Sequence, residues 1–361
     1  VMARKKNTKY IWLTGIVVVL AIVFIVRAPL SVFFFQKIVE KRMASNTVSH
    51  LVDGLHVGLC GAGSPIPDPE RSAPCTLIIA GDRIFVFDAG VTAAQNIGRM
   101  QFNVGKIEAL FLTHFHSDHI GGIGELMLQH WVGGLNYQPL AIYGPDGTDD
   151  IVNSFNNAYS LDKGYRIAHH GAVTIPPTGF GGKAHSFTIA PDASRIRLIS
   201  EPDLEITAFA VDHSPIYPAV GYSIRYKDRT IVISGDTKKS VNLQREAHSV
   251  DLLVHEALSP ELVGILEQSA RIANQPARAK LFKDIVDYHT SPNEAAEIAR
   301  DADVGALLLT HIVPMLPLPG MQSVFLDDAS KIFEGSIYLG KDGDFVSLPA
   351  GTKDIVFDNR F

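Results

Sequence analysis

A layered α/β fold, with helices covering β-sheets, is what this sequence predicts, and three observations predict it. Short apolar runs rich in Val, Ile, Leu and Phe recur along the chain and end in Gly, Asp, His or Ser, which is how buried strands read. Strand-like runs come first and then alternate with helix-like ones, the pattern of sheets with helices packed on their faces. Hydrophobic residues make up 46% and charged residues 19%, which excludes a disordered chain and a nucleic-acid-binding arm. Two cysteines exclude a disulfide framework and a Cys-rich zinc module.

The first element is apolar. Arg4, Lys5, Lys6 and Lys9 precede an uncharged run from Tyr10 to Val26, closed by Arg27. Its length reaches the lower limit of a transmembrane helix, roughly 17–25 residues. Lys9 and Arg27 would snorkel to the two interfaces, and Tyr10 and Trp12 stand where an aromatic belt belongs. A cleaved signal peptide is the competing reading, but the A-x-A site it needs is absent near the run. The basic flank predicts a cytoplasmic N-terminus and a catalytic domain on the periplasmic or extracellular side. Ala28–Val39 either continues the helix or lies in the interface. Residues 1–43 therefore read as anchor and juxtamembrane segment, and residues 44–361 as one catalytic domain.

Strands follow at Leu55–Cys60, Cys75–Ala80 and Ile84–Asp88. Cys60 and Cys75 flank a proline-rich loop; a disulfide and a pair of buried thiols both fit, and an oxidising compartment favours the former. Ala109–His114 is a strand ending in a polar cluster, Gly121–Trp131 a helix, and Leu140–Tyr143 a strand. Pro145–Ser200 reads as a loop-rich insertion facing substrate, with His169 and His170 in a loop. Strand Ile206–Val211 leads to a hairpin, Tyr222–Tyr226 and Thr230–Ser234, around Lys227–Asp228, and then to strand Leu252–His255. Glu261–Tyr288 is helical with a break at Pro276. Ser291, Pro292 and Glu294 form a helix start with Ser as N-cap, and that helix leads into strand Ala306–Thr310.

The sharpest signal is Thr113-His114-Phe115-His116-Ser117-Asp118-His119. On an extended segment i and i+2 point the same way, so His114 and His116 can grip one metal ion. Asp118 and His119, on the turn into the next helix, can grip a second. Imidazole and carboxylate suit zinc and related divalent metals. His213, Asp236 and His311 each follow a different strand, on what reads as one edge of the sheets. His50, His56, His130, His185 and His248 have no such context and are assigned no role.

With these residues in view, the chain resembles the metallo-β-lactamase superfamily, in the branch with ribonuclease Z, arylsulfatases and phosphodiesterases. The likeness spans roughly residues 53–349 and includes Gly61-Ala62-Gly63-Ser64-Pro65, Arg71, Phe87-Asp88-Ala89-Gly90, Gly221-Tyr222, Ser234-Gly235-Asp236-Thr237, His255-Glu256-Ala257, His289-Thr290 and Thr310-His311. It implies a four-layer αββα sandwich behind the transmembrane helix. It implies one zinc on His114, His116 and His213, a second on Asp118, His119 and His311, and Asp236 bridging both, with Mn or Fe as other candidate metals. His289 matches a non-ligand histidine that handles the leaving group. Asp88, His255 and Glu256 read as supports for ligands.

Two observations bear on substrate. Residues 1–43 carry eight Lys/Arg and one Glu, leaving 24 Lys/Arg against 37 Asp/Glu, a net charge of −13, in residues 44–361; an acidic domain repels a polyanion. The arm that grips tRNA in ribonuclease Z follows the Gly-Tyr strand, where this chain has only Lys227-Asp228-Arg229. The expectation is a membrane-anchored dinuclear-metal hydrolase of small phosphodiesters or sulfate esters, acting through a metal-bridging hydroxide with His289, Asp118 and Asp236 in catalysis. Nucleic acid is disfavoured as partner, and a homo-oligomer is left open. The alternatives are a tRNA 3′ endonuclease, a lactonase or other acyl hydrolase, and a metal-free non-catalytic relative.

Overall fold

The N-terminal apolar run forms a continuous helix, Arg4–Ala44, in the computed structural model, which describes residues 4–44, 47–190 and 195–361. Ala28–Val39 therefore continues the helix, with Pro29 inside it. Trp12–Lys41 is long and apolar enough to cross a membrane by length and composition, its most apolar 18-residue stretch having a mean hydropathy of 2.7. The chain divides into two compact units, Val1–Thr47 and Val48–Phe361, and the chemistry lies in the second.

Among its described residues that unit holds fifteen strands: β1 (Gly54–Gly61), β2 (Cys75–Ala80), β3 (Arg83–Phe87), β4 (Ile107–Phe111), β5 (Leu140–Pro145), β6 (Gly182–Phe187), β7 (Arg195–Ser200), β8 (Leu204–Ala210), β9 (Val220–Tyr226), β10 (Arg229–Ile233), β11 (Leu252–Leu258), β12 (Ala306–Val313), β13 (Ser336–Leu339), β14 (Asp344–Pro349) and β15 (Val356–Asn359). They form an eight-stranded sheet in the order β15-β14-β1-β2-β3-β4-β5-β6 and a seven-stranded sheet in the order β13-β12-β11-β10-β9-β8-β7. Between the sheets lies the main core, where Phe85, Phe87 and Phe111 meet Ile206, Tyr222 and Ile231. On the outer face of the first sheet, Leu77, Val86 and Leu110 pack with Ile97 and Ile123 of two helices, Ala93–Arg99 and Ile123–Leu128. On the outer face of the second, Val232, Leu253 and Leu307 pack with Ala295, Ile298 and Ala299 of helix Pro292–Asp301. Strands buried on both faces explain the near-continuous apolar runs, without the alternation a half-exposed strand would show.

Helix Pro292–Asp301 starts as expected, with a complete capping box between Ser291 and Glu294. Cys60 and Cys75 form a disulfide, with Cα atoms 5.0 Å apart. It closes the loop between β1 and β2, and Asp342 holds the same loop by accepting from the backbone N–H of Ala62 at 3.0 Å and of Ser72 at 2.9 Å. Arg71 is buried there and donates to the Gly340 carbonyl.

The loop-rich reading of Pro145–Ser200 is wrong. The segment contains helices Thr148–Ala158 and Ser160–His170 and strands β6 and β7, while residues 191–194 lie outside the described residues. His169 and His170 end the second helix, not a loop. The cause is weak apolar patterning: only Thr148 and Val152 are buried in the first helix and nothing in the second. The β9–β10 hairpin is as tight as expected, with Arg229 paired to Tyr226. Its turn is pinned down: Lys227 ion-pairs with Asp53, the Gly351 N–H donates to Asp228, and the buried Arg229 donates to the carbonyls of Thr352 and Asp354.

Candidate metal centre

Parallel strands deliver the chemistry to one edge. β3–β6 run parallel in the first sheet, and β10–β13 in the second. Loops at the carboxyl ends of parallel strands are where α/β folds place their sites. His114, His116, Asp118 and His119 follow β4, Asp236 follows β10, and His311 lies near the end of β12. His213 follows the antiparallel β8. The first sheet thus provides four of the seven side chains and the second sheet three.

The seven converge. The ligand atoms of His114, His116, His213 and Asp236 lie within 4.8 Å of one another, and so do those of Asp118, His119 and His311. Asp236 stands between the sets: its Oδ2 is 3.3 Å from Nε2 of His119 and of His311, 3.8 Å from that of His114 and 4.0 Å from that of His213. Asp118 Oδ2 is 3.4 Å from His311 Nε2. His289 also comes within range, in a third set with Asp236 and His311.

The donor atoms fit divalent ions. Nε2 of His114, His119, His213 and His311, and Oδ2 of Asp118, are buried without a hydrogen-bond partner of good geometry. Buried polar atoms are otherwise nearly always paired, so five orphans around one point mark a place for cations. On three of the four rings the opposite nitrogen has a partner, His311 being the exception. His119 Nδ1 donates to Asp88 at 2.8 Å, and His213 Nδ1 donates to the Tyr288 carbonyl at 2.9 Å. Those bonds leave Nε2 as the free lone pair, the arrangement by which outer residues orient a ligating imidazole. Asp88 also accepts from the backbone N–H and the hydroxyl of Thr113, each at 2.8 Å, and the Thr113 hydroxyl contacts His114 Nδ1 at 3.0 Å.

Electrostatics separate the two sets. Burial, then the neighbouring His119, holds His114 well below the ordinary imidazole range, and burial takes His213 down to about 4. Both are neutral, as a ligand must be. Burial pulls His119 and His311 down as well, but the Asp236 carboxylate, with Asp88 for the first and Asp118 for the second, outweighs it. His119 is raised well above its usual value and His311 is raised to about 9. Burial works against ionisation of Asp236, yet His311 and His119 hold it well below the carboxylate range.

Two backbone features aim these groups. Asp88 has φ +58° and His311 φ +48°, a region non-glycine residues seldom occupy and one that gathers at functional sites. Opposite His311 the β11–β12 register slips: Glu256 pairs with Thr310 and Ala257 with Ile312, so His311 is bulged out. A bulge of this kind re-aims one side chain.

Glu256 is buried, and its Oε1 accepts from His289 Nδ1 and from the Thr290 N–H, both at 3.0 Å. His255 turns instead to its own neighbour, with Nδ1 2.7 Å from the Glu256 carbonyl. A cavity of about 340 Å³ opens over the cluster, lined by His116, Asp118, Asp236, His289 and His311 on one side and by Ser64, Pro65, Ile66, Leu281, Phe282, Ile285, Tyr288 and Val313 around them. From the sequence, the long segment between His255 and His289 is expected to shape the substrate pocket, and it does line this cavity, although Phe282 and Tyr288 were not singled out within it. Their spacing with Leu281 and Ile285 along one helix and its final turn was the available signal.

Residues 83–312 match the family model described as a beta-lactamase superfamily domain. A ribonuclease Z of Mycobacterium bovis (strain BCG / Pasteur 1173P2) is 35% identical over 290 residues, covering 80% of this chain and 96% of that protein. A ribonuclease Z of Mycolicibacterium paratuberculosis is 34% identical over 298 residues, covering 82% and 99%. Among solved structures, the metallo-beta-lactamase fold protein YhfI from Bacillus subtilis superposes with a TM-score of 0.59 at 22% identity, over 82% of this chain and all of that one. The short form of human tRNase Z does so with 0.58 at 21%, over 81% and 99%; these two likenesses speak for the fold.

The curated relatives overturn the small-ester reading and the view that nucleic acid is disfavoured, because the chain matches them almost end to end and they are named for a ribonuclease activity. The two arguments behind that reading concerned recognition and not the reacting centre. Net charge averages over a whole surface, whereas phosphate is met locally, and a short β9–β10 turn removes an arm from one place only. The chain is a metal-dependent hydrolase, and it belongs to the metallo-β-lactamase superfamily, with ribonuclease Z among its relatives.

Proposed function

We propose that this protein is an RNA phosphodiester hydrolase of the ribonuclease Z kind, an endonuclease acting at the 3′ side of tRNA precursors. The observation that carries the reading is the match to relatives named ribonuclease Z over 96–99% of their length. In this reading His114, His116 and His213 would hold one divalent ion and Asp118, His119 and His311 a second, with the carboxylate of Asp236 available to both; zinc suits the set best, with Mn or Fe as alternatives. Bound ions would supply Lewis acidity and an activated water at neutral pH.

The chain's own groups do the rest. Asp88 fixes the ring of His119, and Thr113 that of His114, so little reorganisation accompanies binding. Glu256 holds the Nδ1–H of His289. That leaves His289 Nε2 as the ring nitrogen available to carry a proton to the departing oxygen. We read Trp12–Lys41 as a membrane anchor, on its length and apolar composition; the periplasmic or extracellular placement of the catalytic domain expected from the basic flank finds no support and does not enter this reading.

The test is cleavage of a precursor tRNA by the full chain in detergent, at fixed ionic strength because salt alone shifts such affinities. The expected result is one cut at the 3′ side of the acceptor stem that requires added Zn or Mn. No cut with either metal, alongside turnover of bis-p-nitrophenyl phosphate, would overturn the reading.

A further inference from the structure

The cavity over the metal cluster has two unlike halves. One is the ring of His and Asp side chains. The other is apolar: Leu281, Phe282 and Ile285 on helix Pro276–Ile285, Tyr288 on the turn after it, and Ile66 and Val313, which also line the cavity. None of the described residues lining it is Lys or Arg. A polynucleotide brings alternating phosphates and bases to such a site. The cluster accounts for one phosphate, and the apolar half has no cation for a second. It does have aromatic faces, which suit a base because every base has a π-face.

We propose that this apolar half is a nucleobase slot. It would take the base of one of the two nucleotides that flank the scissile phosphate, with Phe282 as its main stacking surface. The inference rests on the RNA reading above.

Size and rigidity favour it. About 340 Å³ is near the lower end of small-molecule pockets, roughly 300–1,000 Å³, and is room for one nucleotide beside the metals. Phe282 and Ile285 are half-buried and pack against Leu258, Val263 and Val313, so the wall is supported from behind. Leu281 is 56% exposed and forms the outer lip. Tyr288 lies with its ring centroid 5.1 Å from that of His213 and 4.9 Å from that of His289, so the slot begins where the reacting centre ends. Ile66, which packs in the same apolar cluster and lines the cavity, sits in the loop closed by the Cys60–Cys75 disulfide.

The experiment uses the full chain in detergent and three precursor RNAs: unmodified, abasic on the 5′ side of the cut, and abasic on the 3′ side. Wild type is expected to lose about tenfold in kcat/KM, mainly through KM, when one particular base is removed, as the loss of one stacked base implies, and little when the other is removed. Phe282→Ala should show the same loss on unmodified RNA and become indifferent to that abasic change, while Phe282→Tyr keeps the preference. Wild type indifferent to both removals overturns the slot and leaves the RNA reading standing. A Phe282→Ala variant equally impaired on unmodified and abasic RNA also overturns it, because the defect is then structural. Wild type that cuts none of the RNAs but hydrolyses bis-p-nitrophenyl phosphate removes both readings.

Discussion

Asp236 is the residue on which the site turns. One of its oxygens lies within 4.0 Å of four imidazole nitrogens drawn from both sheets, and among the described residues only Asp118 supplies a second carboxylate to those ligand sets. Two cations held close together repel, and a shared carboxylate is what offsets the repulsion. Asp236→Ala should therefore lower hydrolysis by at least about a hundredfold, since even outer supports of a metal ligand cost about 10–100-fold, while its circular dichroism spectrum stays that of the wild type. Near-normal turnover with two metals bound would show that the bridge lies elsewhere. The T-H-x-H-x-D-H cluster could be read directly because its members are neighbours in the chain. Glu256 could only be suspected, since its use depends on His289, thirty-three positions away. Asp342 could not be found at all: its job, holding the loop near residue 62, exists only once β14 has paired with β1.

At the scale of elements, the inner strands were legible because each is an apolar run too short for a helix. The helices Thr148–Ala158 and Ser160–His170 were not, because they bury almost nothing and their polar sequences look like loops. The bulge at His311 was invisible for another reason: β12 reads as an ordinary strand, and the slip is a property of its pairing with β11. The loop between β1 and β2 carries one wall of the active-site cavity and is closed by Cys60 and Cys75, fifteen positions apart. A loop of that size implies about 3 kcal/mol of stabilisation by the disulfide. The Cys60→Ser/Cys75→Ser double variant should unfold at a lower urea midpoint, with an m-value equal to or above that of the wild type because the unfolded chain is no longer cross-linked. An unshifted midpoint would mean that Asp342 and Arg71 hold the loop without help from the disulfide.

For the whole molecule, the metal cluster lies on the seam between the sheets, and neither sheet holds a full set of ligands. Ions that bind only the folded chain stabilise it by mass action. Removal of metal with a chelator should lower Tm by several degrees, and stoichiometric Zn should restore it as two ions per chain bind, read by calorimetry and elemental analysis. A Tm indifferent to metal would mean that the seam is held by the apolar core alone. Whole-molecule quantities were also where the sequence misled. A net charge of −13 for residues 44–361 describes the surface at a distance, and the relatives show how little it says about the ligand met in one cleft.

That seam has a bearing on when the protein becomes active. His114 emerges early in synthesis, and His311 follows nearly two hundred residues later. No stretch of the growing chain short of β12 can complete the ligand set, so a nascent polypeptide is inert as a hydrolase. The metals can be taken up fully only after the last of these strands has docked. Since metal availability acts beside geometry and ligand type in deciding which divalent ion a site takes, the metal pool at the place where folding ends, not where translation begins, would bear on which ion the proposed site carries.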